Sequence, residues 1–168
     1  MQNSITFLGT GTSQGIPMIG CHCQVCDSAD PRDKRLRSSA LVDYEGILVL
    51  IDAGPDFRQQ MLREDVTSLD AILLTHPHKD HTGGLDDVRA FNYITGKNMP
   101  IYCEPNVQAS LKMEYSYAFA EHKYPGVPSF ELHTIGTEPF TIKGVEIIPV
   151  RAMHYKLPVL GYRFGKVG

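Results

Sequence analysis

The chain has 168 residues, of which 42% are apolar and 21% charged, and this length and composition suit one globular domain with its own core. Its net charge of −3 excludes the broad basic surface of a non-specific nucleic-acid binder. No run approaches the roughly 20 apolar residues of a membrane helix. The N-terminus also lacks a signal peptide's basic start and apolar core, so we expect a cytoplasmic protein with no membrane contact.

Predicted strands and helices alternate along the chain. In chain order they are strands at Ser4–Leu8, Ser39–Tyr44 and Gly46–Ile51, a helix at Pro55–Asp65, a strand at Ala71–Leu74, a helix at Leu85–Tyr93, a strand at Ile101–Cys103, a helix at Val107–Phe119, and strands at Phe130–Ile135, Phe140–Ile142, Val145–Val150 and Val159–Phe164. Several strands are joined as hairpins, which favours sheets covered by helices over a purely parallel sheet. We predict a single α+β domain over residues 1–168.

The most informative segment is the T-H-P-H-K-D-H motif of residues 75–81, which follows a buried strand. Residues two apart on an extended strand end face the same way, so His76 and His78 can point at one position. Asp80 and His81 follow in a turn and can reach a second position nearby. Imidazoles with one carboxylate suit Zn²⁺, Mn²⁺ or Fe²⁺ better than Ca²⁺ or Mg²⁺. The motif therefore predicts a metal site rather than a solvated turn.

A second cluster, Cys21, Cys23 and Cys26, has the spacing C-x-C-x-x-C. It lies in residues 9–37, which are rich in glycine, proline and charge and predict a long loop. Close thiolates from one loop suit tetrahedral zinc, whereas neighbours this tight rarely form a disulfide framework. We expect a structural zinc that fixes this loop.

A structural zinc needs a fourth ligand. His22 is a poor candidate because its neighbours already occupy the site. His122 and His133 are candidates, and a residue beyond the chain is the remaining one. Cys103 lies on an apolar strand and is predicted to belong to the core.

The T-H-x-H-x-D-H motif resembles the signature of the metallo-β-lactamase superfamily, and Ile51-Asp52-Ala53-Gly54 resembles that family's strand-end Asp-x-Gly element. The resemblance implies a four-layer αββα sandwich with two metals at the sheet edges. It implies that the first metal is bound by His76 and His78, and the second by Asp80 and His81.

The resemblance also implies roles for two more distant residues. Asp52 would be an outer-shell carboxylate that orients a ligand or supports the loop, although a purely structural turn role stays open. His154, after the strand Val145–Val150, would complete the three-imidazole set on the first metal. Taken alone, it is also compatible with a partly buried, hydrogen-bonded histidine.

Phe7-Leu8-Gly9-Thr10-Gly11, followed by Gly15-x-Pro17 and the cysteine cluster, resembles the phosphoribosyl 1,2-cyclic phosphate phosphodiesterases. These enzymes of phosphonate degradation are related to the tRNA 3′-processing endonucleases. A pyrroloquinoline quinone biosynthesis protein has a similar zinc loop but lacks the intact histidine motif, so residues 75–81 favour a hydrolase here.

The resemblance implies two active-site metals, zinc or manganese, beside the structural zinc. Two divalent ions about 3.5–4 Å apart can hold a bridging hydroxide, so we predict its in-line attack on a small cyclic or nucleotide-like phosphodiester. Asp80 would orient this nucleophile. His122 is better explained as surface than as a substrate contact. The same holds for a basic run in the loop, Arg32, Lys34, Arg35 and Arg37.

The chain departs from the family after His154, where it reads YKLPVLGYRFGKVG without Asp, Glu, His or Cys. The resemblance would place the bridging aspartate, the last histidine of the second metal and the fourth structural zinc ligand there. The strand Val159–Phe164 also resembles half of a hairpin. We therefore expect a truncated or cleaved chain, the N-terminal two-thirds of the fold, with a complete first metal site and an incomplete second.

Two alternatives to a phosphodiesterase stay open. One is a hydrolase of a thioester or lactone, because the fold hosts many chemistries. The other is a catalytically inactive metal-binding domain. Nucleic acid is not an expected partner because the chain is acidic and has no basic arm, and a homodimer is compatible with the sequence.

Overall fold

The computed structural model describes residues 3–165. The strands are β1 (Ser4–Gly9), β2 (Ser39–Tyr44), β3 (Ile47–Ile51), β4 (Ala71–Leu73), β5 (Met99–Cys103), β6 (Phe130–Thr134), β7 (Phe140–Ile142), β8 (Val145–His154) and β9 (Leu157–Phe164). The helices are α1 (Phe57–Arg63), α2 (Lys79–Thr82), α3 (Arg89–Thr95), α4 (Pro105–Glu114) and α5 (Ser116–Phe119), with 3₁₀ turns at Pro31–Asp33 and Leu85–Val88.

Two sheets form from these strands. The first has six strands in the order β1-β2-β3-β4-β5-β6, antiparallel from β1 to β3 and parallel from β3 to β6. Its β4 is wholly apolar and buried, as expected of a parallel strand covered on both faces. The second sheet is an antiparallel meander of β7, β8 and β9.

Alternation along the strands separates two cores. Leu50 of β3 belongs to a core with Phe57 of α1 and Leu111 of α4, on the helix side of the first sheet. The adjacent Val49 points to the opposite face and packs in a core with Ile147 of the second sheet. Apolar residues that alternate in this way give both faces of the first sheet a partner layer.

Residues 3–165 thus contain three layers of the expected four-layer sandwich: helices, first sheet and second sheet. Within this part of the chain the helices contribute to the first core only, and none covers the outer face of the second sheet. None of the helices described has the length and apolar character needed to cross a bilayer.

Three predicted elements differ from the structure in more than one or two end residues. The predicted helix 85–93 begins as a 3₁₀ turn, with the Asp87 N–H bonded to the Gly84 carbonyl, before α3 follows. The predicted helix 107–119 is broken at Tyr115, whose buried side chain donates a hydrogen bond to the carbonyl of Thr82. The strand predicted to end at residue 150 continues to His154, because β8 pairs with β9 over its whole second half.

A close backbone contact joins the turn after β3 to α2. The Ala53 N–H donates to the His81 carbonyl at 2.8 Å, and the Gly84 N–H donates to the Ala53 carbonyl at 2.9 Å. A Cβ added at Gly54 would lie 2.0 Å from the carbonyl oxygen of Asp80. Glycine is therefore required at residue 54, and its absence of a side chain sets the distance between the two segments.

We expect Gly54→Ala to lower the free energy of unfolding by about 1–3 kcal/mol, because the added methyl group forces two hydrogen-bonded backbone segments apart. Urea denaturation followed by circular dichroism measures this loss. Gly136→Ala is the matched control, since an added Cβ there meets nothing within 4 Å. Equal stability of the two variants would contradict the proposed contact.

Candidate metal centre

Three imidazoles, two from the segment after β4 and one from the end of β8, converge near the end of β4. His76 is buried directly after this strand, and His78 precedes the first turn of α2. His154, the last residue of β8, reaches them from the second sheet. One ligand atom of each lies within 4.8 Å of the others. Ligand atoms at about 2.1 Å from a tetrahedral ion are roughly 3.4 Å apart, so small side-chain shifts would close the set around a metal.

Asp80 and His81 lie beside this set. Asp80 Oδ2 is 3.2 Å from His81 Nε2, a spacing that suits two ligands of one ion. The His81 ring is also close to that of His76, with 4.0 Å between the ring centroids. The residues of the predicted second position are thus adjacent to those of the first.

Asp52 is buried beside the candidate ligands of both metal positions. It contacts the candidate ligand His81 and also Thr75, just after β4. One carboxylate oxygen, Oδ1, accepts the Thr75 N–H at 2.8 Å. The other, Oδ2, lies 2.6 Å from His81 Nδ1 and 2.8 Å from the Thr75 hydroxyl. Asp52 therefore fixes both the orientation of the His81 ring and the end of β4. Its left-handed backbone, with φ at 62°, directs the chain into the turn that contains Gly54.

The buried His76 and the half-buried His81 have opposite electrostatic environments. Burial, followed by repulsion from His81, lowers the pKa of His76 to about 4. Burial alone would lower the pKa of His81, but its hydrogen bond to Asp52 and the charge of Asp80 raise it overall. His76 is consequently neutral at pH 7, which is the form that can bind a metal.

The candidate ligands line an open cavity of about 730 Å³. Three further side chains line it, those of Ser13, Ser38 and Lys79, and sequence reasoning missed all three. Lys79 occupies a variable position inside the T-H-x-H-x-D-H motif, so its place in the motif was the only available signal. The serines lie near the two ends of the 9–37 loop and reach the cavity only because the loop folds back.

Contacts of the basic run hold this loop in place. Arg37 was predicted on a solvated face, but it is partly buried, with Nη1 2.9 Å from Asp56 and Nε donating to the Ser13 carbonyl at 2.9 Å. Lys34 donates to the carbonyl of Cys26 at 3.1 Å. Arg32 is exposed and pairs with a neighbouring aspartate. Arg32, Lys34 and Arg37 therefore contact separate partners rather than forming one phosphate-binding surface.

The cysteine cluster forms a second candidate metal group. The sulfur atoms of Cys21, Cys23 and Cys26 all lie within 4.8 Å of one another. A hydrogen bond from the Cys26 backbone, together with the neighbouring thiols, lowers the pKa of Cys23 to about 7. An accessible thiolate is the form that coordinates zinc.

None of the candidate histidines joins this cluster within residues 3–165. His22 is exposed and lies 3.3 Å from Asp27, and His122 is on the surface. His133 stacks on Tyr102 with 4.4 Å between ring centroids. Cys103 is fully buried in the helix-side core, where burial raises its pKa to about 12.

Comparison with known proteins identifies the family. Residues 48–168 match the family model of the beta-lactamase superfamily domain. The chain belongs to this superfamily. The resemblance indicated by its histidine motif and Asp-x-Gly element is thereby confirmed.

Individual relatives agree with this assignment. A solved structure described as a new diphosphatase from the PhnP family is 45% identical, with a TM-score of 0.88, over 98% of this chain and 63% of that one. The structure of Zn²⁺-bound PqqB from Methylobacterium extorquens is 24% identical, with a TM-score of 0.67. The match covers 89% of this chain and 52% of the PqqB chain, and it shows the shared fold. A Porphyromonas gingivalis protein called octanoyltransferase is 45% identical over 95% of this chain but 32% of its own length.

The chain thus spans about a third of that curated superfamily relative and less than two thirds of the PhnP-family structure. The match to the PhnP family bears out the resemblance to the phosphodiesterase branch of the fold.

Metal analysis tests the two groups separately. We expect Cys23→Ser to remove about one zinc per chain from protein purified without chelator, because a thiolate ligand is lost. His78→Ala should lower the metal content independently, so that the double variant shows the sum of both losses. Elemental analysis paired with intact mass measures this, with Cys103→Ala as the control. Unchanged zinc in Cys23→Ser would contradict a thiolate site.

Proposed function

We propose that the chain is the metal-binding part of a metal-dependent phosphodiesterase. The observation that carries this proposal is the convergence of His76, His78 and His154 beside Asp80 and His81 in one open cavity. The first three residues would hold one divalent ion, and the other two would contribute to a second. Zinc and manganese both suit this mixture of nitrogen and oxygen ligands.

Divalent ions bound there would supply Lewis acidity and an activated nucleophile. The chain's own residues would position these groups. Asp52 holds the His81 ring from the side away from the cavity, and Asp80 lies at the cavity wall, where it would orient the nucleophile. The Cys21–Cys23–Cys26 cluster would bind a structural zinc that keeps residues 9–37 against the site.

Three observations support a small phosphate-bearing substrate, the class to which phosphodiesters belong. The relative in the PhnP family is described as a diphosphatase. The cavity is open and of a size that admits a small substrate. Among residues 3–165, Lys79 is the only lysine or arginine that lines it, and this lysine would supply a positive charge to an anion. The name octanoyltransferase belongs to a protein of which two thirds lie outside the match, so it does not guide the proposal.

We propose a small cyclic or nucleotide-like phosphodiester as the substrate, and no membrane or nucleic-acid partner. A cytoplasmic location and a homodimer remain predictions from the sequence.

A second candidate is a metal-binding domain without activity of its own. It is favoured by the second metal position, for which residues 3–165 bring only Asp80 and His81 together. Metal binding without hydrolysis of any ester would support this candidate over the first.

The decisive experiment measures hydrolysis of bis(p-nitrophenyl) phosphate and of a p-nitrophenyl thioester by the chain loaded with zinc or manganese. We expect phosphodiester cleavage that chelator abolishes and that His78→Ala lowers by at least about 100-fold, because even outer-shell changes cost 10–100-fold. His122→Ala, at an exposed histidine, is the matched control. Cleavage of the thioester alone would overturn the proposal in favour of another ester class.

Lys79 provides a separate test of the anionic substrate. Its Nζ lies 2.8 Å from Glu114, and its side chain is largely exposed. We expect Lys79→Gln to raise KM about 2- to 5-fold with little change in kcat, because an exposed ion pair contributes about 0.2–1 kcal/mol. Lys79→Arg should retain the wild-type KM, and added salt should reduce the difference. A KM that is equal in all three proteins would exclude Lys79 as a substrate contact.

A further inference from the structure

The hydroxyl of Thr75 lies between a buried carboxylate and a candidate metal ligand. Thr75 Oγ1 is 2.8 Å from Asp52 Oδ2 and 2.8 Å from His76 Nδ1. Asp52 and His76 are both buried. The three groups therefore form a continuous hydrogen-bonded chain from the carboxylate to the imidazole.

The direction of each hydrogen bond follows from the number of hydrogens. A carboxylate only accepts, and a hydroxyl has one hydrogen, so Thr75 donates to Asp52 Oδ2. The Thr75 oxygen must then accept from His76 Nδ1–H. The reverse arrangement would place two oxygen lone pairs against each other at 2.8 Å inside the protein.

The His81 ring contacts the same carboxylate directly, with no hydroxyl between them. Its Nδ1 is 2.6 Å from the same Asp52 oxygen, which can only accept, so His81 also carries its hydrogen on Nδ1. In both rings the hydrogen bond occupies Nδ1, which leaves Nε2 to bind a metal, and the Nε2 of His81 already lies 3.2 Å from Asp80 Oδ2. One carboxylate thus controls two neighbouring imidazoles, one directly and one through a hydroxyl.

We infer that Thr75 is a positioning residue, whose hydroxyl connects Asp52 to His76 and thereby makes Nε2 the ligand atom of His76. This inference rests on the proposed metal role of His76 and His81. Thr75 is the first residue of the T-H-x-H-x-D-H motif, but the motif alone does not indicate a role for it.

The backbone of Thr75 is fixed independently of its hydroxyl. Its N–H donates to Asp52 Oδ1 at 2.8 Å, and its carbonyl accepts from the Leu160 N–H at 3.1 Å. Valine has nearly the same shape and keeps both backbone bonds. Thr75→Val therefore removes the connection to His76 and leaves the direct bond between Asp52 and His81 in place.

The test combines imidazole nitrogen–proton correlation spectra of the metal-free protein with zinc affinity measured by chelator competition. In the wild type and Thr75→Ser we expect both His76 and His81 in the Nδ1–H tautomer. In Thr75→Val, His81 should be unchanged, whereas His76 should move to Nε2–H or a mixture, because a buried Nδ1–H would have no acceptor. Zinc affinity should fall 10- to 100-fold in this variant only. Thr141→Val, at an exposed residue of β7, is the matched control.

Several results would overturn the inference. The wild-type spectrum alone does so if His76 carries its hydrogen on Nε2, and this measurement needs no variant to fold. The inference is also overturned if Thr75→Val leaves the His76 tautomer unchanged. It is overturned as well if the tautomer changes but the zinc affinity stays at the wild-type value. If the tautomer moves as expected but the histidines bind no zinc in any protein, the connection through Thr75 is supported and the proposed metal function fails.

Discussion

The Asp52 carboxylate is the contact on which the rest of the candidate centre depends. Burying a charged group is costly unless it is fully hydrogen-bonded, and here both oxygens have donors from the end of β4 and from His81. Asp52 and these donors lie in separate segments, which the first sheet brings together. The pairing of β3 with β4 and the close contact at Gly54 are what bring them within reach.

The second sheet is attached to the same strand end. The Tyr162 hydroxyl donates to the Leu74 carbonyl at 2.7 Å, and the Leu160 N–H donates to the Thr75 carbonyl. Both residues belong to β9, which pairs with β8 and so also determines where His154 lies. The carbonyls at the end of β4, which would otherwise be left without partners, therefore anchor the hairpin that delivers the third imidazole.

The sequence predicted the parts of the site that are local in the chain. His76 to His81 occupy six consecutive positions after an apolar strand, and their spacing alone indicates a common target. The role of Thr75 and the place of Ser13 at the cavity depend on contacts between residues more than twenty positions apart in the sequence. No local pattern encodes such contacts. The helix break at Tyr115 was missed for a related reason, because the residue's tertiary contact with Thr82 overrides its helical surroundings.

The three-imidazole set takes two residues from the segment that follows β4 of the first sheet and one from β8 of the second. An ion held by all three would act as a further cross-link between the two sheets, beside their shared apolar core and the hydrogen bonds from β9 to the end of β4. Docking of the β8–β9 hairpin and ion affinity would then be thermodynamically linked, each strengthening the other. At a hundredfold excess of ion over its dissociation constant, this linkage adds about 2.7 kcal/mol to the stability of the docked state. Loss of the ion would loosen the interface between the layers before it affected either sheet.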